Sequence, residues 1–179
     1  MNLSFQLSDQ DLRYFRAALK KSRNAVRYAE ESEIIDAIRD VLAEIQSNDP
    51  LPDFVAQRIP IIEALIQMLT DVEWQLPKTH RERVLAVFMY FGDPEDILPD
   101  DIPVIGYLDD VIIVELVIRD LRHVLEAYDD FCQFRNEFDN EKGNVVDGAI
   151  RRDRIDRRRQ QLHQRMQRRH SRQKTTPLW

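Results

Sequence analysis

A stripe of seven largely apolar side chains at helical spacing limits the fold of this chain more than any other sequence feature. The steps alternate between three and four residues, which places all seven on one side of an α-helix. They are Val111, Val114, Ile118, Leu121, Leu125, Tyr128 and Cys132. A second stripe widens the apolar surface, chiefly in the first half of the helix: Ile113, Val117, Val124 and Phe131. A helix that is apolar on so many sides needs neighbours around it, so we predict a long central helix over about residues 107–138.

Helical spacing is also present in the earlier segments. Ser8 is a plausible N-cap for a first helix, and the run SEIIDAIRDVLAEIQSN predicts a second. A third helical region, residues 53–69, contains Pro60 and should be kinked or split into two pieces. Thr79 can cap a helix that ends near Phe91. With only four glycines and little strand-like alternation, we predict an all-α bundle of about five to six helices.

The net charge of −6 conceals a strong division along the chain. Residues 151–179 hold eleven Lys or Arg and two Asp, a formal charge of +9, whereas residues 1–150 hold fifteen basic and thirty acidic side chains, a charge of −15. The segment 140–148 contains two of the four glycines and indicates a hinge. We therefore predict an acidic helical domain over residues 1–139 and a basic, helical or partly disordered tail over residues 149–179.

The basic tail contains the side chains most suited to contacting a partner. Ile155, Leu162 and Met166 form only a thin apolar stripe, which predicts a solvated helix with frayed or disordered ends. Pairs such as Asp147/Arg151 and Asp153/Arg157 stand four residues apart and would support that helix modestly. The candidate partner- or phosphate-binding residues are Arg151, Arg152, Arg154, Arg157, Arg158, Arg159, Arg165, Arg168 and Arg169.

Arginine binds carboxylate and phosphate groups equally well, so these residues alone leave the partner open. We favour an acidic protein surface, including the acidic body of the same or another copy of this chain. The tail could also be solvated and have no partner. Binding of nucleic acid through its phosphates is an alternative, although the tail lacks interleaved aromatic side chains for base stacking. An anionic membrane is least favoured because the apolar stripe is thin. A chain shortened after Asn140 should stay folded and lose its partner or its self-association.

The acidic, proline-rich stretch DPEDILPDDIPVIGYLDD lies immediately before the long helix. Its prolines predict a stiff corner, and its aspartates stand where helix starts and turns favour them. The residues given this structural role are Asp93, Pro94, Asp96, Pro99, Asp100, Pro103, Gly106, Asp109 and Asp110. Their carboxylates could instead bind Mg²⁺ or Ca²⁺ or act as a general acid and base, but the spacing is not that of an EF-hand loop. We therefore predict no metal site.

The run YFGDPEDILPDDIPVIGYLDD resembles the signature of the YkvA-like family, small bacterial domains of unknown function. The resemblance extends over about residues 83–121 and rests on twelve positions: Asp93, Pro94, Asp96, Ile97, Leu98, Pro99, Asp100, Ile102, Pro103, Gly106, Asp109 and Asp110. It implies a bacterial domain in which this run lies between two apolar helices. It supplies neither a reaction nor a substrate.

The remaining reactive side chains do not form a recognisable catalytic motif. His123 follows Asp120 by one helical turn and could accept or donate a hydrogen bond there, with no second histidine near it in sequence. Cys132 falls on the apolar stripe and is expected in the core. The single cysteine and the absence of a signal-peptide pattern favour a cytoplasmic location. We predict a non-enzymatic interaction or adaptor module without a cofactor; the alternatives are nucleic-acid binding by the tail and a metal-dependent or enzymatic use of the Asp93–Asp110 carboxylates.

Overall fold

The computed structural model describes residues 7–47, 52–92, 108–142 and 147–172, and these are all-α, as predicted. They contain seven α-helices, one turn of 3₁₀ helix and no strand. The α-helices are α1 (Asp9–Ala25), α2 (Glu31–Ser47), α3 (Asp53–Ala56), α4 (Ile59–Thr70), α5 (Lys78–Phe91), α6 (Leu108–Lys142) and α7 (Gly148–Arg172). The 3₁₀ turn, Val26–Tyr28, follows α1 directly.

The start of α1 confirms the predicted N-cap. The Ser8 hydroxyl accepts a hydrogen bond from the backbone N–H of Asp11 at 3.2 Å, and the Asp11 carboxylate accepts one from the backbone N–H of Ser8 at 2.8 Å. Two N–H groups that the helix itself cannot pair are thereby satisfied. The boundary is fixed by local sequence alone, which is why it could be predicted.

Two other boundaries show how proline sets the start of a helix in this chain. The predicted split of residues 53–69 is confirmed, but the break is at Gln57 and Arg58, and Pro60 lies in the first turn of α4. Proline suits that turn because its missing N–H would have no helical partner. The prediction that Thr79 caps the next helix is wrong. Pro77 precedes α5, and its carbonyl accepts the N–H groups of His80 and Arg81.

The long helix α6 was correctly placed, but its most buried face is the second stripe, not the first. Ile113, Val117, Val124 and Phe131 are each at most 1% exposed. Five residues of the first stripe are only partly buried: Val111, Ile118, Leu125, Tyr128 and Cys132. With 35 residues, α6 is about 52 Å long. It does not occupy the centre alone, because α5 contacts α1, α2, α4 and α6 and is buried without interruption from Arg83 to Phe88.

Among the helices that the structure describes, none combines the length and the apolar character needed to cross a membrane. The outer surfaces of α6 and α7 are instead rich in charged side chains. The candidate interaction site lies where these two helices meet.

Candidate interaction site at the basic helix

Helix α7 packs against α6 and is not a fully solvated extension. Ile155, Leu162 and Met166 are each at most 2% exposed and belong to the main hydrophobic core. All three side chains of the thin stripe are therefore buried, and the expectation of a solvated helix is wrong for this face. The predicted hinge, residues 140–148, overlaps the last residues of α6 and the first residue of α7, and residues 143–146 lie outside the described part of the chain.

The loop between α4 and α5 forms the receiving surface for the N-terminal half of α7. We call residues 71–77 the 71–77 loop. One carboxylate oxygen of Asp71 accepts hydrogen bonds from the backbone N–H groups of Glu73 and Trp74, at 2.9 and 3.0 Å. The other accepts from the Tyr128 hydroxyl at 3.2 Å and from Arg135 at 2.8 Å. Asp71 therefore holds the shape of the loop through two backbone donors and fixes the loop to α6 through two side-chain donors.

Trp74, at the middle of this loop, is completely buried in an aromatic cluster. Its ring centroid is 5.6 Å from that of Tyr128 and 5.1 Å from that of Phe131, both on α6. The ring of His163, on α7, stands edge to face against it at 4.6 Å. Three separate elements thus meet at one side chain, and α7 supplies one wall of the cluster.

The N-terminal arginines of α7 are bound to acidic side chains of the body. Arg151 contacts the carboxylate of Glu73 at 2.5 Å and that of Asp139 at 2.7 Å. Hydrogen bonds from Arg151 lower the pKa of both carboxyl groups, and the same bonds raise the pKa of the guanidinium. Arg159 donates to the Glu73 backbone carbonyl at 3.0 Å. This half of α7 is therefore held by charge and by direct backbone recognition.

The C-terminal half of α7 repeats the arrangement further along α6. Arg165 pairs with Asp130, and Arg169 pairs with Glu126. Since Arg151 pairs with Asp139, acceptor numbers fall as arginine numbers rise, so the two helices run antiparallel. Arg158 adds a cation–π contact, with its guanidinium carbon 5.4 Å from the centre of the Phe134 ring.

The other candidate arginines lie at or near the outer surface. Arg154, Arg157 and Arg168 are exposed, on the side of α7 opposite its buried stripe. Arg157 forms the predicted pair with Asp153, at 2.9 Å. Arg152 donates to the Gly148 carbonyl at 3.2 Å.

The predicted Asp147–Arg151 side-chain pair is replaced by contacts to other residues. The Asp147 carboxylate accepts from the backbone N–H of Ala149 at 2.9 Å and so occupies a capping position at the start of α7. Arg151 instead turns towards Glu73 and Asp139, as described above. Spacing along one helix could not reveal this, because those acceptors belong to other elements.

Most of the proline-rich signature lies outside the described residues. This applies to Asp93, Pro94, Asp96, Pro99, Asp100, Pro103 and Gly106, and to the side chain of Asp110. Asp109 falls in the first turn of α6, as predicted, and is only 2% exposed. One of its carboxylate oxygens accepts a hydrogen bond from the Tyr90 hydroxyl on α5 at 3.0 Å. The sequence singled out Asp109 but gave no sign of this partner.

A groove of about 520 Å³ lies between α3, the two residues that follow it and the first half of α6, with Leu7 beside it. Its floor includes Val111, Ile112 and Ile118, and Arg58 on its rim is paired with Glu115. Within the described ranges, no three His, Cys, Asp or Glu side chains come together as metal ligands would.

A buried polar cluster joins α5 to α6. Arg83 and Asp120 are paired at 3.1 Å, with side chains only 9% and 15% exposed, and burial lowers the pKa of the Arg83 guanidinium. His123 is also buried, and a second histidine, His80, lies 5.7 Å away between ring centres. The sequence showed no second histidine near His123 because His80 stands 43 positions earlier, and the packing of α5 on α6 brings the two together.

Cys132 is partly exposed instead of lying in the core. Its sulfur accepts a weak hydrogen bond from Arg135 at 3.7 Å. Burial raises the pKa of the thiol, which keeps it in the poorly nucleophilic protonated form at neutral pH.

Comparison with protein families finds a match to a protein of unknown function, DUF1232, over residues 83–116. The YkvA-like resemblance is consistent with this match. The matched segment runs from within α5 into the first part of α6 and does not include α7. No curated protein and no solved structure matches the chain.

Proposed function

We propose that this protein is a non-enzymatic interaction module and that α7 is its contact element. The observation that carries the proposal is the division of α7 into two faces. Its inner face is fixed to the body by buried apolar residues and by ion pairs. Its outer face presents Arg154, Arg157 and Arg168 to solvent on a helix that is already in place. A preformed surface binds a partner at a lower cost in conformational entropy.

The chemistry of the outer face favours an acidic protein patch over a nucleic acid. Four arginines of α7 are already engaged by body groups: Arg151, Arg159, Arg165 and Arg169. The exposed arginines of the outer face stand beside a segment, residues 1–150, whose formal charge is −15. A long polyanion would be repelled by that segment, whereas a small patch of carboxylates could contact the outer arginines alone. Helix α7 also contains no Phe, Tyr or Trp on which bases could stack.

Charge reversal confined to the outer face tests the proposal. In the triple variant Arg154→Glu, Arg157→Glu and Arg168→Glu, α7 should stay docked because its inner contacts are untouched. Binding of an acidic partner should fall at least tenfold, since attraction is replaced by repulsion. The measurement is quantitative affinity capture by wild-type and variant protein, together with native mass in case the partner is a second copy.

A matched control carries the same change in charge elsewhere. Arg13→Glu, Lys20→Glu and Arg27→Glu alter three exposed cations on and just after α1. This control should bind its partner and show its native mass as the wild type does. The proposal fails if the outer-face variant keeps both properties, or if the control loses them equally.

A further inference from the structure

We propose that His163 is a proton-sensitive latch: when neutral it strengthens the docking of α7 against Trp74, and its protonation weakens that docking. The proposal deepens the proposed function, on which it rests for the purpose of the release. The latch itself is a property of the isolated chain and needs no partner. Nothing in the sequence singled out His163, because its significance depends on a residue 89 positions earlier.

The position of the imidazole ring is the first argument. His163 stands edge to face against Trp74, with ring centres 4.6 Å apart, and Trp74 is 0% exposed. His163 makes a hydrogen bond with the Trp74 backbone. Because its Nε2 atom is buried and has no hydrogen-bond partner among the described residues, we assign that bond to Nδ1.

This arrangement suits the neutral imidazole. With the proton on Nδ1, Nε2 carries only a lone pair, and leaving a neutral acceptor unpaired costs less than burying an unpaired charged donor. Protonation would add an N–H to Nε2 at a buried position where no described group accepts it. A buried, unpaired and charged donor is among the most costly groups in a protein interior.

The neighbouring charges act in the same direction. Three elements surround the ring, namely α7, the 71–77 loop and α6. The charged and titratable groups that they bring to this region include Arg159 and its ion-pair partner Asp156, Asp71, Glu73, Tyr128, Cys132 and Arg135.

The carboxylates of this region are already paired with arginines, and Asp156 is paired with Arg159 itself at 3.0 Å. Asp71 binds Arg135, and Glu73 binds Arg135 and Arg151. Arg159, one turn before His163, adds a positive charge next to the ring. An imidazolium would therefore meet a like charge without a free carboxylate from these groups to offset it.

The direction of the pH effect follows from linkage. Burial, followed by the charge of Arg159, lowers the pKa of docked His163 from 6.5, while the hydrogen bond with the Trp74 backbone acts in the opposite sense. A released His163 regains its ordinary pKa of about 6.5 and binds more protons than the docked one. The contribution of His163 to docking is thus fully present above about pH 6.5, and it is lost as the pH falls through the pKa of the docked side chain. Between the two pKa values the ratio of released to docked α7 should rise by up to about tenfold per pH unit.

Fluorescence of Trp74 provides the test in the full-length chain. Trp179→Phe is introduced first, so that Trp74 is the only tryptophan. Iodide quenching is then followed from pH 7.5 to 5.2, a range that avoids most carboxylate titration. We expect Trp74 to be well protected at pH 7.5 and its rate of quenching to rise as the pH falls below about 6.5, by up to about tenfold per pH unit.

Variants of the two histidines of α7 identify the responsible group. His163→Phe keeps an aromatic ring that cannot be protonated, and it should abolish the transition. His163→Gln serves the same purpose if the phenylalanine variant is poorly folded by far-ultraviolet circular dichroism. His170→Gln is the control and should retain the wild-type transition. The proposal is overturned if no transition occurs, if both His163 variants keep it, or if His170→Gln loses it.

These results are independent of the partner experiment. Failure of the latch with intact binding by the outer face would leave the contact role of α7 in place. If the charge-reversal test failed but His163 still controlled the docking of α7, the helix would be pH-sensitive and the outer arginines would not be its contact surface.

Discussion

The buried contact between Tyr90 and Asp109 shows how the signature segment meets the core. Asp109 begins α6 and Tyr90 lies near the end of α5, so this hydrogen bond joins the two helices on either side of the proline-rich stretch. A carboxylate that is only 2% exposed depends strongly on its donors, because water cannot replace them.

Removing the Tyr90 hydroxyl should therefore destabilise the fold. We expect Tyr90→Phe to lower the free energy of unfolding by about 1–3 kcal/mol, since Asp109 loses a donor that it cannot exchange for water. Urea unfolding monitored by circular dichroism measures the change. Tyr14→Phe, at a 59% exposed site, is the control and should change little. Equal stability of Tyr90→Phe and wild type would show that this hydrogen bond is dispensable.

Residue-level predictions succeeded where the cause was local. Ser8 and Asp11 satisfy each other within one turn, and Asp153 and Arg157 meet because four residues span one turn. Thr79 failed because Pro77, only two positions earlier, already supplied a suitable backbone for the helix start. Proline fixes its own φ angle, and that local constraint outweighed the preference for a threonine cap.

At the scale of helices, α7 is held by two kinds of contact of unequal strength. Leu162 is 2% exposed, whereas the Arg151 side chain is 31% exposed and its ion pairs are open to solvent and salt. Burial of an aliphatic side chain usually outweighs a partly exposed ion pair.

This difference gives a ranked expectation for two substitutions. Leu162→Ala should weaken docking of α7 by about 2–4 kcal/mol, because it leaves a cavity under the helix. Arg151→Ala should cost about 1 kcal/mol or less, and less still in high salt. Hydrogen exchange of the α7 amides reports both values in the intact chain. The reverse order would mean that ion pairs dominate the interface.

Helix periodicity placed α6 well but chose the wrong face as the most buried. Both stripes had helical spacing, and only the packing of neighbouring helices decides between them. The neighbours of Phe131 include Trp74, which lies 57 positions earlier. Contacts at such separations leave no mark in local spacing. For the same reason the sequence predicted a thin apolar stripe on α7 but missed the aromatic surface that receives it.

For the molecule as a whole, the acidic body and the basic tail are not independent parts. The side chains of Ile155, Leu162 and Met166 belong to the same core as those of α1 to α6. The charge division that suggested an appendage is instead the complementarity of two surfaces within one chain. Composition along the sequence can show such an asymmetry, but only the packing shows that its two parts meet.

The expectation that a chain shortened after Asn140 stays folded therefore changes. Loss of α7 would remove three buried side chains and uncover Trp74, at a cost of about 5 kcal/mol or more. That is a large part of the stability of an ordinary domain. For the shortened chain we expect unfolding at a lower urea concentration and strong binding of a hydrophobic dye. A chain ending at Arg172 is the control and should behave as full length; an unchanged midpoint for the shorter chain would contradict this expectation.

The junction at the 71–77 loop has a consequence for how the chain reaches its native state. Glu73 and Arg151 are 78 positions apart, so the pocket for Trp74 cannot close until α7 has been synthesised and has returned to a loop made much earlier. Closing a long loop lowers the conformational entropy of the chain before any stabilising contact has formed. During this interval a large aromatic surface faces water, and the nascent chain is then most open to aggregation or to capture by a chaperone.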